Sequence, residues 1–292
     1  MAPSLSTSAL RIDVAGVPAV DGLTFATTGQ HAIVLGAPRI LFAAASGVHA
    51  VTRGQLTISG LAPRAAVRAG IAASAALDPH LPPRWTANQL AAWSARLASH
   101  SRSIGRELAA DALKRVGLSA LGDTPIQGLP LAAKRAAVLA SALATGATTL
   151  LVEWSVAGLV EPQARALSRI FAKAIADRHT VVFSDRMMLD SPLALASDEA
   201  IVVDGSEVLA QNLPAEIASR TQSLMLRVVG GVDEFVRGLE ASGGRAERHP
   251  VSARTERLRV DLGPLSTGDI FRIATESCAV VFELRPLSDV FA

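Results

Sequence analysis

The stretch TLLVEWSVAGL, residues 149–159, decides the fold, because a short apolar run passes directly into a loop that ends near a glycine. Thr149–Val152 has the length and apolar character of a strand that is buried on both faces of a sheet. A helical pattern precedes it at Ala132–Leu143, another follows at Pro162–Ala176, and a second apolar run comes at Thr180–Phe183. Strands and helices that alternate in this way indicate an α/β domain with parallel strands.

Further elements extend this pattern toward the N-terminus. His31–Leu35 is another continuous apolar run, and it passes into a loop at Gly36. Apolar residues recur at three- and four-residue spacing over Trp85–Leu97 and again over Glu107–Val116, which predicts two amphipathic helices. Toward the C-terminus, the apolar runs on either side of residues 204–206 predict a β-hairpin.

The order of elements changes near residue 220. Residues 221–292 predict a β-α-β-β-α-β unit, which is a small ferredoxin-like α+β domain. We therefore expect a flexible polar tail over residues 1–9, a first domain over 10–220 with a helical subdomain at about 78–145, and an accessory domain over 221–292. Cys278 lies in an apolar run, which predicts a buried thiol.

Composition narrows the function classes. The 292 residues are 50% hydrophobic and 18% charged, with a net charge of +2 and no tyrosine, so neither the charge nor the aromatic content favours nucleic-acid binding. Every apolar stretch is interrupted before the ~18 residues that a membrane span needs, and we expect no lipid insertion by this chain. The histidines have no metal-ligand spacing, so we expect no metal site. The start of the sequence lacks the pattern of a signal peptide, which predicts a cytoplasmic location.

Several stretches resemble the ATP-binding subunit of ATP-binding cassette (ABC) transporters. TRGQLTISG (52–60) is similar to the family's "SGEVRVDG" edge, and DEAIVVDG (198–205) with LPAEI (213–217) is similar to its closing strand pair and "TPAEL" helix. LRPLSDVF (284–291) is similar to the "RPSLEDVF" ending of cassettes from drug-efflux and gliding-type exporters. The resemblance covers essentially the whole chain. It implies a P-loop NTPase-like ABC cassette, with a mixed sheet and a helical subdomain, and ATP with Mg²⁺ as the family's ligands.

The phosphate-binding loop departs from this family. A P-loop needs glycines, a lysine and a hydroxyl after its strand, because these groups hold the phosphates and Mg²⁺. Here GAPRI (36–40) supplies five residues where the family has nine, and only Gly36 matches. Pro38 lacks an N–H that a phosphate cradle would use. Arg39 is predicted to be a solvated loop cation; attraction of an anion is the alternative.

The signature motif and the second nucleotide-binding strand are also altered. LPLAAKRAAVLASAL (129–143) lines up with the family's "LSGGQRQRVALARAL", and it places Pro130 and Leu131 where the family has a serine and a glycine. Glu153 falls on the Mg²⁺-associated carboxylate. Trp154 falls on the catalytic carboxylate, and an indole cannot act as a general base. Arg186 falls on the family's switch histidine. We expect no catalytic residues, no intact nucleotide site, and weak or absent binding of ATP.

Two segments are predicted to face partner proteins. The family receives a coupling helix of the permease in the region that here carries two tryptophans, for which core packing is the alternative reading. The predicted permease-facing residues are Asp78, Pro79, His80, Leu81, Trp85 and Trp93. Gly158, Leu159 and Val160 match the loop that signals between paired cassettes, with Val160 in place of the family's aspartate.

The leading hypothesis is a catalytically degenerate ABC-type subunit. It would act structurally or as a regulator of an exporter permease at the cytoplasmic face of the membrane, paired with a second cassette in a homo- or heterodimer. Two alternatives stay open: a soluble dimerising scaffold derived from a cassette, and an ATPase that still binds ATP through an atypical loop around Arg39.

Overall fold

The computed structural model of the chain describes residues 2–36, 38–204, 207–219, 223–252 and 255–286. The chain separates into two compact units, Met1–Ala215 and Glu216–Ala292. The predicted domain boundary between residues 220 and 221 lies outside the described ranges and stays a prediction.

The first unit contains two sheets and the helices between their strands. Its strands are β1 (Leu5–Val14), β2 (Val17–Ala26), β3 (His31–Leu35), β4 (Arg53–Ile58), β5 (Ala72–Ala75), β6 (Thr149–Trp154), β7 (His179–Ser184), β8 (Glu199–Asp204) and β9 (Glu207–Asn212). Its helices are α1 (Pro38–Ala45), α2 (Pro63–Arg68), α3 (Ala87–Leu97), α4 (Arg102–Arg115), α5 (Leu131–Leu143), α6 (Glu161–Ile175) and α7 (Pro192–Leu195), and α8 (Pro214–Ser219) lies where the two units meet in sequence.

The larger sheet has the order β5-β6-β7-β3-β8-β9. Its strands are parallel except for β9, which forms an antiparallel hairpin with β8. Almost every residue of β3 and β7 is buried, as continuous apolar runs require. Phe183 of β7 packs edge-on against Phe42 of α1, with ring centroids 5.7 Å apart. The predicted α/β fold with a parallel sheet is confirmed.

The smaller sheet, β2-β1-β4, is antiparallel and corrects one prediction. Residues 5–9 belong to β1, so the flexible tail predicted over residues 1–9 is wrong there. Leu5 is fully buried and pairs with Ile58, and the Thr7 hydroxyl accepts a hydrogen bond from the Phe25 N–H at 3.0 Å. The Ser6 hydroxyl likewise forms a hydrogen bond with the Thr57 hydroxyl of β4 at 2.7 Å.

Helices α3, α4 and α5 pack against one another, and α3 begins later than expected. Thr86 caps the helix: its hydroxyl accepts from the Gln89 N–H at 3.2 Å, while the Gln89 side chain accepts from the Thr86 N–H at 3.0 Å. This capping box places Trp85 just before the helix, so the prediction that Trp85 lies within it is wrong. No helix in the described ranges is long and apolar enough to span a membrane.

The second unit has the predicted β-α-β-β-α-β order. Its elements are β10 (Ser223–Val229), α9 (Val232–Ala241), β11 (Arg245–Ser252), β12 (Thr255–Asp261), α10 (Thr267–Glu276) and β13 (Val280–Pro286). The sheet is antiparallel in the order β11-β12-β10-β13, and Leu226 and Phe235 are fully buried in its core. The expected ferredoxin-like α+β domain is confirmed.

The end of this unit corrects a second prediction. Cys278 is exposed, because it lies in the turn between α10 and β13 with a left-handed φ of 52°. The buried thiol predicted from the surrounding apolar run is therefore wrong. Of the exporter-like ending, residues 284–286 belong to β13 and residues 287–291 lie outside the described residues.

Replacing Leu5 with alanine tests whether the N-terminal segment is a structural strand. We expect Leu5→Ala to lower the free energy of unfolding by about 2–5 kcal/mol, because it removes a fully buried side chain. Urea unfolding followed by tryptophan fluorescence measures this. The control Leu97→Ala, at a residue 69% exposed, should change stability by less than about 0.5 kcal/mol. Equal stability of both variants would restore the tail interpretation.

Candidate functional site

The candidate site lies where the parallel strands of the larger sheet end. The carboxyl ends of parallel strands meet at one edge, where loops can bring distant residues together. Gly36 follows β3, Glu153 and Trp154 end β6, and Arg186 follows β7. The structure thus brings Gly36, Glu153 and Trp154 to one edge, while the Arg186 side chain is exposed.

The carboxylate of Glu153 is engaged by groups of the same chain. Its side chain is 11% exposed, and its Oε2 atom accepts a hydrogen bond from the Leu77 N–H at 2.9 Å. Its Oε1 atom lies 3.5 Å from Nε of Arg39. Arg39 was predicted to be solvated, and its side chain is 77% exposed, yet its guanidinium is directed to Glu153. Both carboxylate oxygens therefore have partners in the chain itself.

The glycine after β3 serves the packing of the sheet. Gly36 has a φ of 99°, and a Cβ at this position would lie 2.0 Å from the Val203 carbonyl oxygen of β8. Its N–H donates to the Ser184 carbonyl at 3.3 Å, which closes the end of the sheet. Helix α1 then begins at Pro38, which has no N–H. Neither Gly36 nor Pro38 offers a free N–H to a ligand.

Trp154 is a packing residue. It is 4% exposed, and its ring lies edge-on to Phe171 of α6 at a centroid distance of 4.8 Å. Its carbonyl oxygen accepts from the Ser184 hydroxyl at 3.1 Å. The cavity that Glu153 and Trp154 line has a volume of about 10 Å³, which is room for about one water molecule.

Arg135 forms a bidentate ion pair that the sequence did not predict. Its side chain is 7% exposed, and Nε and Nη2 donate to the Asp78 carboxylate at 3.1 and 2.9 Å. Nη1 donates to the Ser155 carbonyl at 2.8 Å. The pair links helix α5 to the segments that follow β5 and β6. The hydrogen bonds from Arg135 hold the pKa of the Asp78 carboxyl below its ordinary value.

The other residues of the predicted permease-facing segment lie near this pair. Pro79 and Leu81 line a groove of about 360 Å³ together with Asp78 and Leu131. The side chain of His80 is exposed. The Asp78 carboxylate was predicted to face the permease; it is half-exposed and already held by Arg135.

The start of α5 lies beside the loop that precedes α6. Pro130 is the N-cap residue of α5 and is exposed, with no side-chain hydrogen bond. The Leu131 Cδ2 atom lies 3.0 Å from the place where a Cβ on Gly158 would be. Leu159 is half-buried, and Val160 is 63% exposed at the N-cap of α6.

The two tryptophans predicted to face a permease lie against each other. Their ring centroids are 5.8 Å apart at an angle of 77°. Trp85 packs against the cluster of Leu90, Ile126 and Leu129, while Trp93 is 44% exposed. Core packing of both indoles, the alternative interpretation, therefore applies in part to Trp85, which is half-buried, and not to Trp93.

Comparisons with known proteins identify the fold. No protein-family model and no curated protein sequence matches this chain. Among solved structures, cbiO1 from Clostridium perfringens, part of the ABC transporter complex cbiONQ, is similar with a TM-score of 0.63 and 17% identity over 75% of this chain and 92% of its own. MJ1267, an ATP-binding cassette of an ABC transporter, has a TM-score of 0.64 and 14% identity over 75% of this chain and 95% of its own. A nucleotide-free ATP-binding cassette from an ABC transporter has a TM-score of 0.62 and 16% identity over 74% of this chain and 94% of its own.

The chain therefore has the fold of the ATP-binding cassette of ABC transporters. At identities of 14–17%, this likeness shows a shared fold.

Replacing Arg135 tests its role in holding α5 to the sheet. We expect Arg135→Met to lower the free energy of unfolding by about 1–3 kcal/mol at neutral pH, because three hydrogen bonds from a buried cation are lost. Urea unfolding measures the change. The control is Arg165→Met, which breaks an exposed ion pair with Glu161 and should cost less than about 0.5 kcal/mol.

The stability that the Arg135–Asp78 pair contributes should decrease in acid. The lowered pKa of Asp78 contributes stability that is complete above the ordinary pKa of an aspartate and is lost as the pH falls through the lowered value. The difference between wild type and Arg135→Met should therefore shrink in acid. A difference that does not change with pH would contradict this assignment.

Proposed function

We propose that this chain is an ABC-type subunit without ATP turnover, which acts structurally or as a regulator of an exporter permease. The observation that carries the proposal is the engagement of Glu153, the residue aligned with the Mg²⁺-associated carboxylate, by Arg39 and the Leu77 N–H. Mg²⁺ requires oxygen ligands at near-octahedral positions, and a guanidinium beside this carboxylate opposes a second cation.

The residues present do not fit bound ATP with Mg²⁺. In the described part of the β3–α1 loop, the Gly36 N–H donates to the Ser184 carbonyl and Pro38 has no N–H, so neither residue contributes a donor to a phosphate cradle. The segment also lacks a lysine and a hydroxyl at the start of α1, where Ile40 and Leu41 stand.

The residues aligned with the family's catalytic base and signature motif are also changed. Trp154 is buried against Phe171 at the position aligned with the base that would activate water. Leu131 occupies the space in front of Gly158 at the aligned signature position, so its side chain would crowd a phosphate brought by a second cassette. A heterodimer with an active cassette would accordingly have slow turnover at this site.

The fold supports partners of the ABC transporter kind. The cbiO1 structure is that of a part of an ABC transporter complex. By analogy, we propose a membrane permease and a second cassette as partners of this chain, at the cytoplasmic face of the membrane. The proposed assignment to the exporter branch rests on the similarity of residues 284–291 to the C-terminal ending of exporter cassettes.

A titration with fluorescent ATP and Mg²⁺ tests the proposal directly. We expect no binding by the wild-type chain tighter than about 100 μM, near −5.5 kcal/mol, and no ATP hydrolysis. Arg39→Ala and Glu153→Gln should not create binding, because each leaves the phosphate loop unchanged. Tighter binding that Arg39→Ala abolishes would instead support the ATPase with an atypical loop.

A second experiment tests the permease contact. We expect a tagged full-length chain, purified in mild detergent from its own cells, to carry a multi-span membrane protein that Trp93→Ala releases. Trp93 is half-exposed, so its loss should leave the fold intact. The matched control is Leu195→Ala, at an exposed residue of α7. Retention of the membrane protein by Trp93→Ala would argue against this contact, and purification without any membrane protein would support the soluble scaffold.

A further inference from the structure

A groove between α3 and α4 combines aromatic and cationic side chains. This α3–α4 groove has a volume of about 360 Å³, within the range of ~300–1,000 Å³ for ligand sites. Trp85 and Trp93 line one part of it. Arg96, Arg102 and Arg106 line another, so cations from two helices converge on one space.

Local sequence explains how the two helices place these residues. Gly105 of α4 faces α3, and a Cβ there would lie 3.5 Å from the Ala92 carbonyl oxygen and 3.5 Å from the Ala95 Cβ. Gly105 therefore lies at the contact between the two helices, where a Cβ would make ordinary van der Waals contacts. Arg102 and Arg106 are one turn apart on α4 and share a face. Arg96, in the last turn of α3, lies above the Trp93 ring, with Cζ 5.7 Å from its centroid.

The three arginines are unpaired, unlike many arginines elsewhere on this chain. Among the residues that the structure describes, none of the three has a carboxylate within 4.0 Å, whereas Arg11, Arg115, Arg165 and Arg178 all do. All three are exposed. Three cations that converge without counter-charges make the groove electrostatically complementary to an anionic partner.

We propose that the α3–α4 groove binds an acidic segment of a partner protein, with carboxylates on the three arginines and an apolar side chain against the indoles. The inference rests on the proposed function, because it names the chemistry of the segment that the membrane partner presents to Trp85 and Trp93. Tryptophan and arginine are also the residues that most often dominate the binding energy of protein interfaces.

The packing of α3 favours a protein over a lipid surface. A helix that lies on a membrane presents an exposed apolar face to the lipid. Four apolar residues of α3 are instead buried in the first unit, namely Ala87, Leu90, Ala91 and Ala95, and its large exposed apolar side chains are Trp93 and Leu97. The exposed side of α3 contributes a concave wall with Trp93 and Arg96, which suits an inserted side chain.

Binding of a defined acidic peptide tests the proposal on the full-length chain. The probe is a fluorescent helical peptide of Glu and Leu, and its control is the same peptide with Gln in place of Glu. We expect the acidic peptide to bind at least about tenfold more tightly than the control, and high salt to weaken binding. Trp85 and Trp93 are two of the three tryptophans of the chain, so their fluorescence should change on binding.

Charge reversal locates the site. We expect the triple variant Arg96→Glu, Arg102→Glu and Arg106→Glu to lose the binding. Arg169→Glu, which reverses an exposed arginine of α6, should bind as wild type does. Because all three groove arginines are exposed, the triple variant should keep its circular dichroism spectrum and urea midpoint. If it unfolds, the single variant Arg102→Glu decides the question, with weakened binding expected.

Several results would overturn the proposal. Equal binding of the two peptides, no binding of either, or unchanged binding by a folded triple variant would each do so. Arginine-dependent binding to phosphatidylcholine vesicles containing phosphatidylglycerol, without binding of the acidic peptide, would assign the groove to a membrane surface. If the acidic peptide does not bind but Trp93→Ala still releases a membrane protein, only the proposed acidic chemistry of the partner segment is overturned. If no membrane protein is purified with the chain, the proposed function is overturned.

Discussion

The parallel pairing of β6, β7 and β3 is the constraint on which the first unit depends. Val34, Val152 and Val182 are each at most 1% exposed, so these strands must be covered on both faces, and the helices between them must return the chain in the same direction. This pairing brings Gly36, Glu153 and Ser184 to one edge of the sheet. Because burial of the strands supplies the stability, the loops at this edge can change without loss of the fold.

The side chains at this edge have structural roles. Gly36 allows the close approach of Val203, and Trp154 packs against Phe171. Arg39 is directed to Glu153, and its exposed position means that this pair adds little stability. The Arg135 pair is more buried and joins α5 to the segments after β5 and β6, so we expect it to contribute more stability than the Arg39 pair does.

Five helical arginines of the first unit form two groups with different consequences. Arg135 and Arg115 are paired with carboxylates of distant segments, and these pairs fasten helices to neighbouring elements. Arg96, Arg102 and Arg106 face a groove and have no such partner among the described residues. Sequence position does not separate the groups, because all five lie in helices and only the packing of those helices decides which carboxylates are near.

The sequence by itself determined the order of elements, since the apolar runs of β3, β6 and β7 and the periodicity of α5 and α6 are local patterns that burial requires. From the resemblance to ABC cassettes it also predicted altered motif positions at Pro130, Leu131 and Trp154. Only the tertiary structure decided that Leu5 is buried, that Arg39 faces Glu153 and that Arg135 holds Asp78, 57 residues away. Such pairs depend on how distant segments pack against each other, and the local hydrophobic periodicity of a sequence contains no information about that packing.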